Sequence, residues 1–300
     1  MSPATERKQT RGTMERREIS FESEGDLLAA AIFLPGEGPA PGVIFAHGIF
    51  EFKEDFFDYA RRLAAAGFVA LALDMHGHGA SEGNRYGCDI QQWTADVVNA
   101  MDYLETLPEV KKGCLGLVGL SSGGTAVLRA AARPDPRVKA VVTLAASIQT
   151  TLSLAERTIF YLLGAVGLIK RTLTSSDLRV NLVSLANRMV TAEDPAVDKR
   201  FHAAPQLVDA FRNVPFPGVW NGFIVDIRNE LPRIQAPTLI IHGAQDRMEP
   251  PSSAHTLYNA LTCEKELHII EGSGHLLHLD YKKEEVFALL LDWLQRHLQP

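Results

Sequence analysis

Along the chain, short apolar runs alternate with stretches of helical periodicity. Residues 42–46, 68–73, 114–118 and 138–145 are nearly unbroken apolar segments, the pattern of strands buried on both faces. Between them lie predicted helices over 56–66, closed by Gly67, over 89–107, stopped at Pro108, and over 125–132. Ahead of these, 18–22 and 27–34 suit two antiparallel strands joined through the turn-rich Ser23-Glu24-Gly25-Asp26. The alternation lapses over residues 147–231, which read as helical and irregular with no convincing strand. It resumes with a strand at 238–241, a helix at 252–261, a strand at 266–270 and an amphipathic helix at 284–298.

Such alternation predicts an α/β fold: a mostly parallel sheet with helices on both faces. The expected layout is a core of residues 18–146 and 232–300. Residues 147–231 would be a helical lid over the carboxyl edge of the sheet, where open α/β folds bind ligands. Residues 1–17 are polar and mixed in charge, without the apolar stretch of a secretory signal, and read as a frayed tail.

Composition narrows the function classes. A hydrophobic fraction of 46% with 22% charged residues fits a soluble globular protein, and a net charge of −6 offers no basic face for nucleic acid. Cys88, Cys114 and Cys263 are scattered and odd in number, so neither a disulfide framework nor a metal spacing emerges, and a cytoplasmic location is expected. The longest apolar run, 159–169, is shorter than the roughly 20 residues of a spanning helix and reads as a buried or interfacial helix.

Candidate chemistry centres on Gly119-Leu120-Ser121-Ser122-Gly123, a G-x-S-x-G between a predicted strand and a predicted helix. In that context the motif is a sharp turn that projects the serine hydroxyl, with glycines where a Cβ would block backbone approach. A serine needs a base, usually histidine oriented by a carboxylate. Asp246 falls just beyond the 238–241 strand and His275 just beyond the 266–270 strand. The expected catalytic set is therefore Ser121, Asp246 and His275. The oxyanion of acyl transfer calls for two backbone donors; these are expected from Ser122 and from Ile49, in the loop after the 42–46 strand. Ser122 as nucleophile would place Leu120 where the first glycine belongs. His278 is the rival base, His47 and His242 read as braces, and Cys88 as an inert thiol. The H-x-H of His76 and His78 lacks further ligands at suitable spacing, so no metal is expected. Phe50 beside Ile49, and Phe160, Phe211, Phe216, Trp220 and Phe223 in the 147–231 segment, are candidates for an apolar substrate wall.

Taken together, His47-Gly48, the run from Asp74 to Gly83, the G-x-S-x-G, the Asp246 loop and Gly274-His275 resemble the α/β-hydrolase superfamily over residues 19–298. Within it the chain is similar to the serine aminopeptidase and monoacylglycerol lipase-like group and to bacterial cinnamoyl and feruloyl esterases. His76 stands where arginine is commoner in that group's D-x-R-G-x-G-x-S-x-G loop. The resemblance implies a serine hydrolase of carboxylic esters that uses no cofactor, and the apolar content of the 147–231 segment favours a medium-sized hydrophobic or aromatic ester over a charged metabolite. Thioesterase, acyltransferase, C–C hydrolase and aminopeptidase chemistry share the triad. The last would need carboxylates for the substrate ammonium, with Glu193, Asp194 and Asp198 as candidates. A non-catalytic ligand receptor on the same fold is the remaining alternative.

Overall fold

The computed structural model describes residues 14–36, 38–150 and 152–298. Strands β1 (Glu15–Ser23) and β2 (Asp26–Leu34) form an antiparallel hairpin, followed by β3 (Ala40–Ala46), α1 (Phe57–Ala65), β4 (Val69–Leu73), α2 (Ile90–Thr106), β5 (Val110–Leu120), α3 (Ser121–Ala131) and β6 (Val138–Leu144). After an intervening segment come β9 (Thr238–Gly243), α9 (Pro251–Ala260), β10 (Lys265–Ile270) and α10 (Lys283–Leu298). The sheet runs β1-β2-β4-β3-β5-β6-β9-β10, antiparallel at β1–β2 and β2–β4 and parallel from β4 onward. Most of the expected tail lies outside the described residues, but Glu15, Arg16 and Arg17 extend β1 upstream of its expected start.

Each face of the sheet is covered by helices because its strands are apolar on both sides. Trp93 and Leu104 of α2, Val127 and Leu128 of α3 and Leu257 of α9 pack on one face. Tyr59 and Leu63 of α1 with Leu290 and Trp293 of α10 pack on the other. From β3 the chain continues to β4 on one side, while β5 lies on the other. Such a reversal leaves a crevice at the carboxyl ends of the strands.

Between β6 and β9 lie α4 (Leu154–Thr174), β7 (Leu178–Val180), α5 (Val183–Ala186), α6 (Pro195–Ala203), α7 (Pro205–Arg212), β8 (Val214–Phe216) and α8 (Trp220–Phe223). The antiparallel β7–β8 pair corrects the expectation that this segment holds no strand; each strand is only three residues long, too short to show a period. Leu207, Val214, Phe216 and Val219 give the segment a small core of its own, shared with Phe50 and Tyr86. At its base, Thr150 N–H donates to the Val225 carbonyl (2.8 Å) and Ile227 N–H to the Ile148 carbonyl (3.0 Å), so the entering and leaving strands clasp each other. Helix α4 buries only Gly164 and Gly167, while Ile159, Leu162, Val166 and Ile169 are exposed. The expected 159–169 helix is therefore present, but it is not a buried one: Phe160 and Leu163 face inward while most of its other apolar side chains are exposed. No described helix is long and apolar enough to cross a membrane.

Candidate active site

Four strand ends deliver the site. Strand β5 ends extended at Leu120, Ser121 turns to a φ of 51°, and α3 begins at once. That left-handed conformation is disfavoured for a residue with a Cβ and persists only where its surroundings enforce it. Here the surroundings are tight: a Cβ on Gly123 would sit 2.3 Å from the Ala46 and His47 carbonyl oxygens, and one on Gly119 would sit 2.4 Å from the Gly123 carbonyl oxygen. The two glycines of the motif thus allow β5, α3 and the end of β3 to meet.

Beyond β10, His275 is buried and its Nδ1–H donates to Asp246 Oδ2 at 2.7 Å. Asp246, beyond β9, is held from both sides. Its Oδ1 accepts from the Met248 and Glu249 amides (2.8 and 3.0 Å), and His242 Nε2 lies 3.3 Å from Oδ2. Burial alone would raise the Asp246 pKa, yet the His275 charge and these hydrogen bonds hold it well below the usual carboxylate range. Burial would likewise lower the His275 pKa. The Asp246 charge and hydrogen bond, with smaller contributions from Glu51 and Glu249, raise it instead. Ser121 and His275 open onto the same cavity.

The loop after β3 is braced from beneath. His47 Nδ1–H donates to the Gly48 carbonyl (2.7 Å) and its Nε2 accepts from the Met75 amide (3.0 Å); buried and neutral, its pKa is pushed down to about 4. The Phe50 amide, at a φ of 64°, donates to His78 Nε2, and the Gly48 amide donates to Glu51 Oε2 at 2.6 Å. The Ile49 amide between them has no protein acceptor among the described residues. Ser122, as second residue of α3, has no helical carbonyl one turn earlier to bond. Lys53 from the same loop reaches Asp74 at 2.7 Å in a buried pair, and Asp74 also accepts from the Lys53 and Ala80 amides. His76, in the place of the commoner arginine, bonds Asp96, and its pKa is raised: burial opposes the shift, and the Asp96 hydrogen bond and charge outweigh it.

The rival residues are spoken for. His278 stacks on Phe56 with ring centroids 4.6 Å apart, has no hydrogen-bond partner at either nitrogen among the described residues, and its pKa is pushed down to about 3 by burial. Cys88 is buried beneath Gly222, which raises its thiol pKa. Asp198 accepts from the Thr191 hydroxyl and amide, Asp194 caps α6, and Glu193 faces Arg247.

Two cavities meet at Ser121 and His275. One, of about 350 Å³, is apolar and is lined by Phe50, Phe160, Phe216 and Phe223, with Leu163 and Leu207. Five of the six expected wall residues, Phe211 among them, are therefore brought together. Trp220 is the exception: it does not line the cavity and packs on α4 against Tyr161 (5.2 Å between centroids), over Gly164, where a Cβ would collide with its ring. Its one-turn helix α8 points Phe223 inward and leaves Trp220 outside, a direction that sequence spacing does not reveal.

Glu51 escaped the sequence reading. It is buried beside the site, its Oε1 has no partner among the described residues, and burial together with the Asp55 charge pushes its pKa up to about 8. The only available signal was an acidic residue inside an apolar strand-end loop.

The parallel sheet with helices on both faces, and a serine on a strained strand-to-helix turn, define an α/β hydrolase. More narrowly, the chain belongs to the serine aminopeptidase S33 family, whose model matches residues 38–282. It is 25% identical over 295 residues to a monoacylglycerol lipase of Mycolicibacterium smegmatis, covering 94% of this chain and 98% of the relative. Human monoglyceride lipase is 26% identical over 283 residues, covering 91% and 88%. Among solved structures, the α/β hydrolase GrgF from a Penicillium species superposes with a TM-score of 0.82 at 22% identity, covering 95% of this chain and all of that one.

Proposed function

We propose that the protein is a serine esterase of hydrophobic carboxylic esters. Ser121 attacks the ester carbonyl and His275 Nε2 accepts its proton. Asp246 fixes the imidazole with Nδ1 protonated, and the Ile49 and Ser122 amides receive the oxyanion. His275 then protonates the leaving alcohol, and water releases the acyl group by the same steps in reverse. The observation that carries this reading is the convergence of a strained Ser121 and the Asp246-bonded His275 on one cavity. The apolar wall favours an acyl or aryl portion without charge, and monoacylglycerol lipases among the relatives agree with that chemistry. Residues 147–231 act in this reading as the lid that carries most of that wall. Aminopeptidase action is less well supported, because Asp194 and Asp198 are occupied in capping and loop bonds and Glu193 faces Arg247.

The test is a series of p-nitrophenyl esters from acetate to laurate, with fluorophosphonate labelling of wild type and Ser121→Ala. Turnover rising with chain length and an adduct confined to wild type are expected. Turnover of acetate alone would refute the apolar acyl site, and equal labelling of both proteins would remove Ser121 as nucleophile.

A further inference from the structure

The second cavity at Ser121 has a different chemistry from the first. It measures about 450 Å³, and Ser147, Gln149, Thr150, Arg188, Arg247 and Glu249 supply its polar lining. It shares Ile49, Ser121 and His275 with the apolar cavity, so the reacting atoms sit where the two arms join.

The charges in this arm are unbalanced. The Arg188 side chain has no carboxylate partner among the described residues. Among the described residues Arg247 pairs only with Glu193, at 3.8 Å, and it remains 63% exposed. Glu249, the one carboxylate in the lining among the described residues, is buried with both oxygens engaged: Oε2 accepts from Ser147 Oγ (2.6 Å) and Oε1 from Ser253 Oγ. Burial also raises its pKa, which weakens it further as a counter-ion to the arginines. One guanidinium without a carboxylate partner and a second held only by a long pair, both with forks that match carboxylate and phosphate geometry, thus line the more polar of the two cavities beside the nucleophile.

We infer that the site takes a two-sided ester, apolar on one side of the scissile bond and carrying a carboxylate or phosphate on the other, with Arg188 and Arg247 receiving the anion. This rests on the esterase reading and goes beyond it by naming the charge of the second half of the substrate. The apolar arm accepts the chain, the polar arm the anionic group, and the bond between them lies at Ser121.

The experiment compares kcat/KM at low salt for neutral 1-monolauroylglycerol with two anionic alcohol esters, lauroyl glycerol phosphate and lauroyl glycolate. Monododecyl succinate places the anion on the acyl side instead. Within the modest strength of exposed ion pairs, a preference of about fivefold or more for an anionic ester is expected, shrinking as salt is added. Phosphate against glycolate identifies which anion fits, and succinate against the others shows which side of the bond enters the polar arm. The preference should fall toward unity in Arg188→Gln/Arg247→Gln, while exposed, distant Arg133→Gln keeps it. Equal kcat/KM for neutral and anionic esters, or a preference that survives the double substitution, would overturn the inference. Failure of every ester, with no fluorophosphonate adduct on Ser121, would instead overturn the esterase reading and this one with it.

Discussion

Replacing Asp246 by asparagine isolates what the carboxylate contributes, because every atom around it has a fixed role. Oδ1 accepts from two backbone amides, Met248 and Glu249, which have no alternative polarity. An asparagine must therefore keep its carbonyl oxygen on that side and turn its NH2 toward His275. Facing a donor, His275 Nδ1 has to become an acceptor, which moves the proton to Nε2, the atom that should take it from Ser121. In serine triads the equivalent exchange lowers kcat by roughly 10⁴, a barrier increase of about 5.5 kcal/mol. The pH profile supplies a second readout. Asp246 raises the His275 pKa and activity needs the neutral imidazole, so wild-type activity climbs as pH passes upward through that raised value. Without the negative charge the limb moves to lower pH. The stability signs are opposed. The raised His275 pKa favours folding at low pH, an effect lost as pH rises through the folded value. The lowered Asp246 pKa favours folding above the unfolded carboxylate value, an effect lost as pH falls toward the folded one. Steady-state ester hydrolysis from pH 5 to 9, with circular dichroism to verify folding, measures the outcome. A folded Asp246→Asn protein that retains a tenth of wild-type kcat, with its acid limb unmoved, would refute the tautomer argument.

Substitutions at two further positions probe the scaffold under the site. Gly123→Ala places a methyl 2.3 Å from two carbonyl oxygens that belong to backbone and cannot swing aside; overpacking of about 1–3 kcal/mol or more is expected, read as a lower midpoint in urea unfolding, and an unchanged midpoint would count against the described close approach. Glu51→Gln keeps an acceptor for the Gly48 amide and removes a carboxyl whose buried protonation costs increasing stability as pH rises from the unfolded value toward about 8, so its melting temperature should gain on wild type between pH 5 and pH 8; Glu51→Ala, which strands that amide, should lower kcat by about tenfold, and equal behaviour of the two variants would show that the bond does not hold the loop.

Much of this was legible in the sequence. Continuous apolar runs such as 42–46 and 68–73 could only be strands covered on both sides, and the glycines around Ser121 marked a turn with no room for side chains. The order of strand ends then placed Ser121, Asp246 and His275 on one edge. What stayed hidden depends on direction and enclosure. Strands β7 and β8 are too short for a period and are set by pairing with each other. Trp220 and Phe223 are neighbours in sequence and both pack on α4, but only Phe223 lines the apolar cavity. Glu51 and Arg188 carry ordinary charges whose meaning comes from burial in one case and from the lack of a partner in the other.

The clasp at 148–150 and 225–227 has a consequence for how such a protein changes over time. Because the two chains entering and leaving the segment between β6 and β9 bond to each other, the ends of everything beyond the clasp are already side by side. Closing a loop costs only slowly more as it lengthens, so the helices beyond that point can be shortened, lengthened or exchanged with little strain on β6 and β9. In the function proposed above, most of the apolar wall then lies in one stretch of the chain and Ser121, Asp246 and His275 in another, with Phe50 and Arg247 of the core also lining the cavities. One can drift while the other stays fixed.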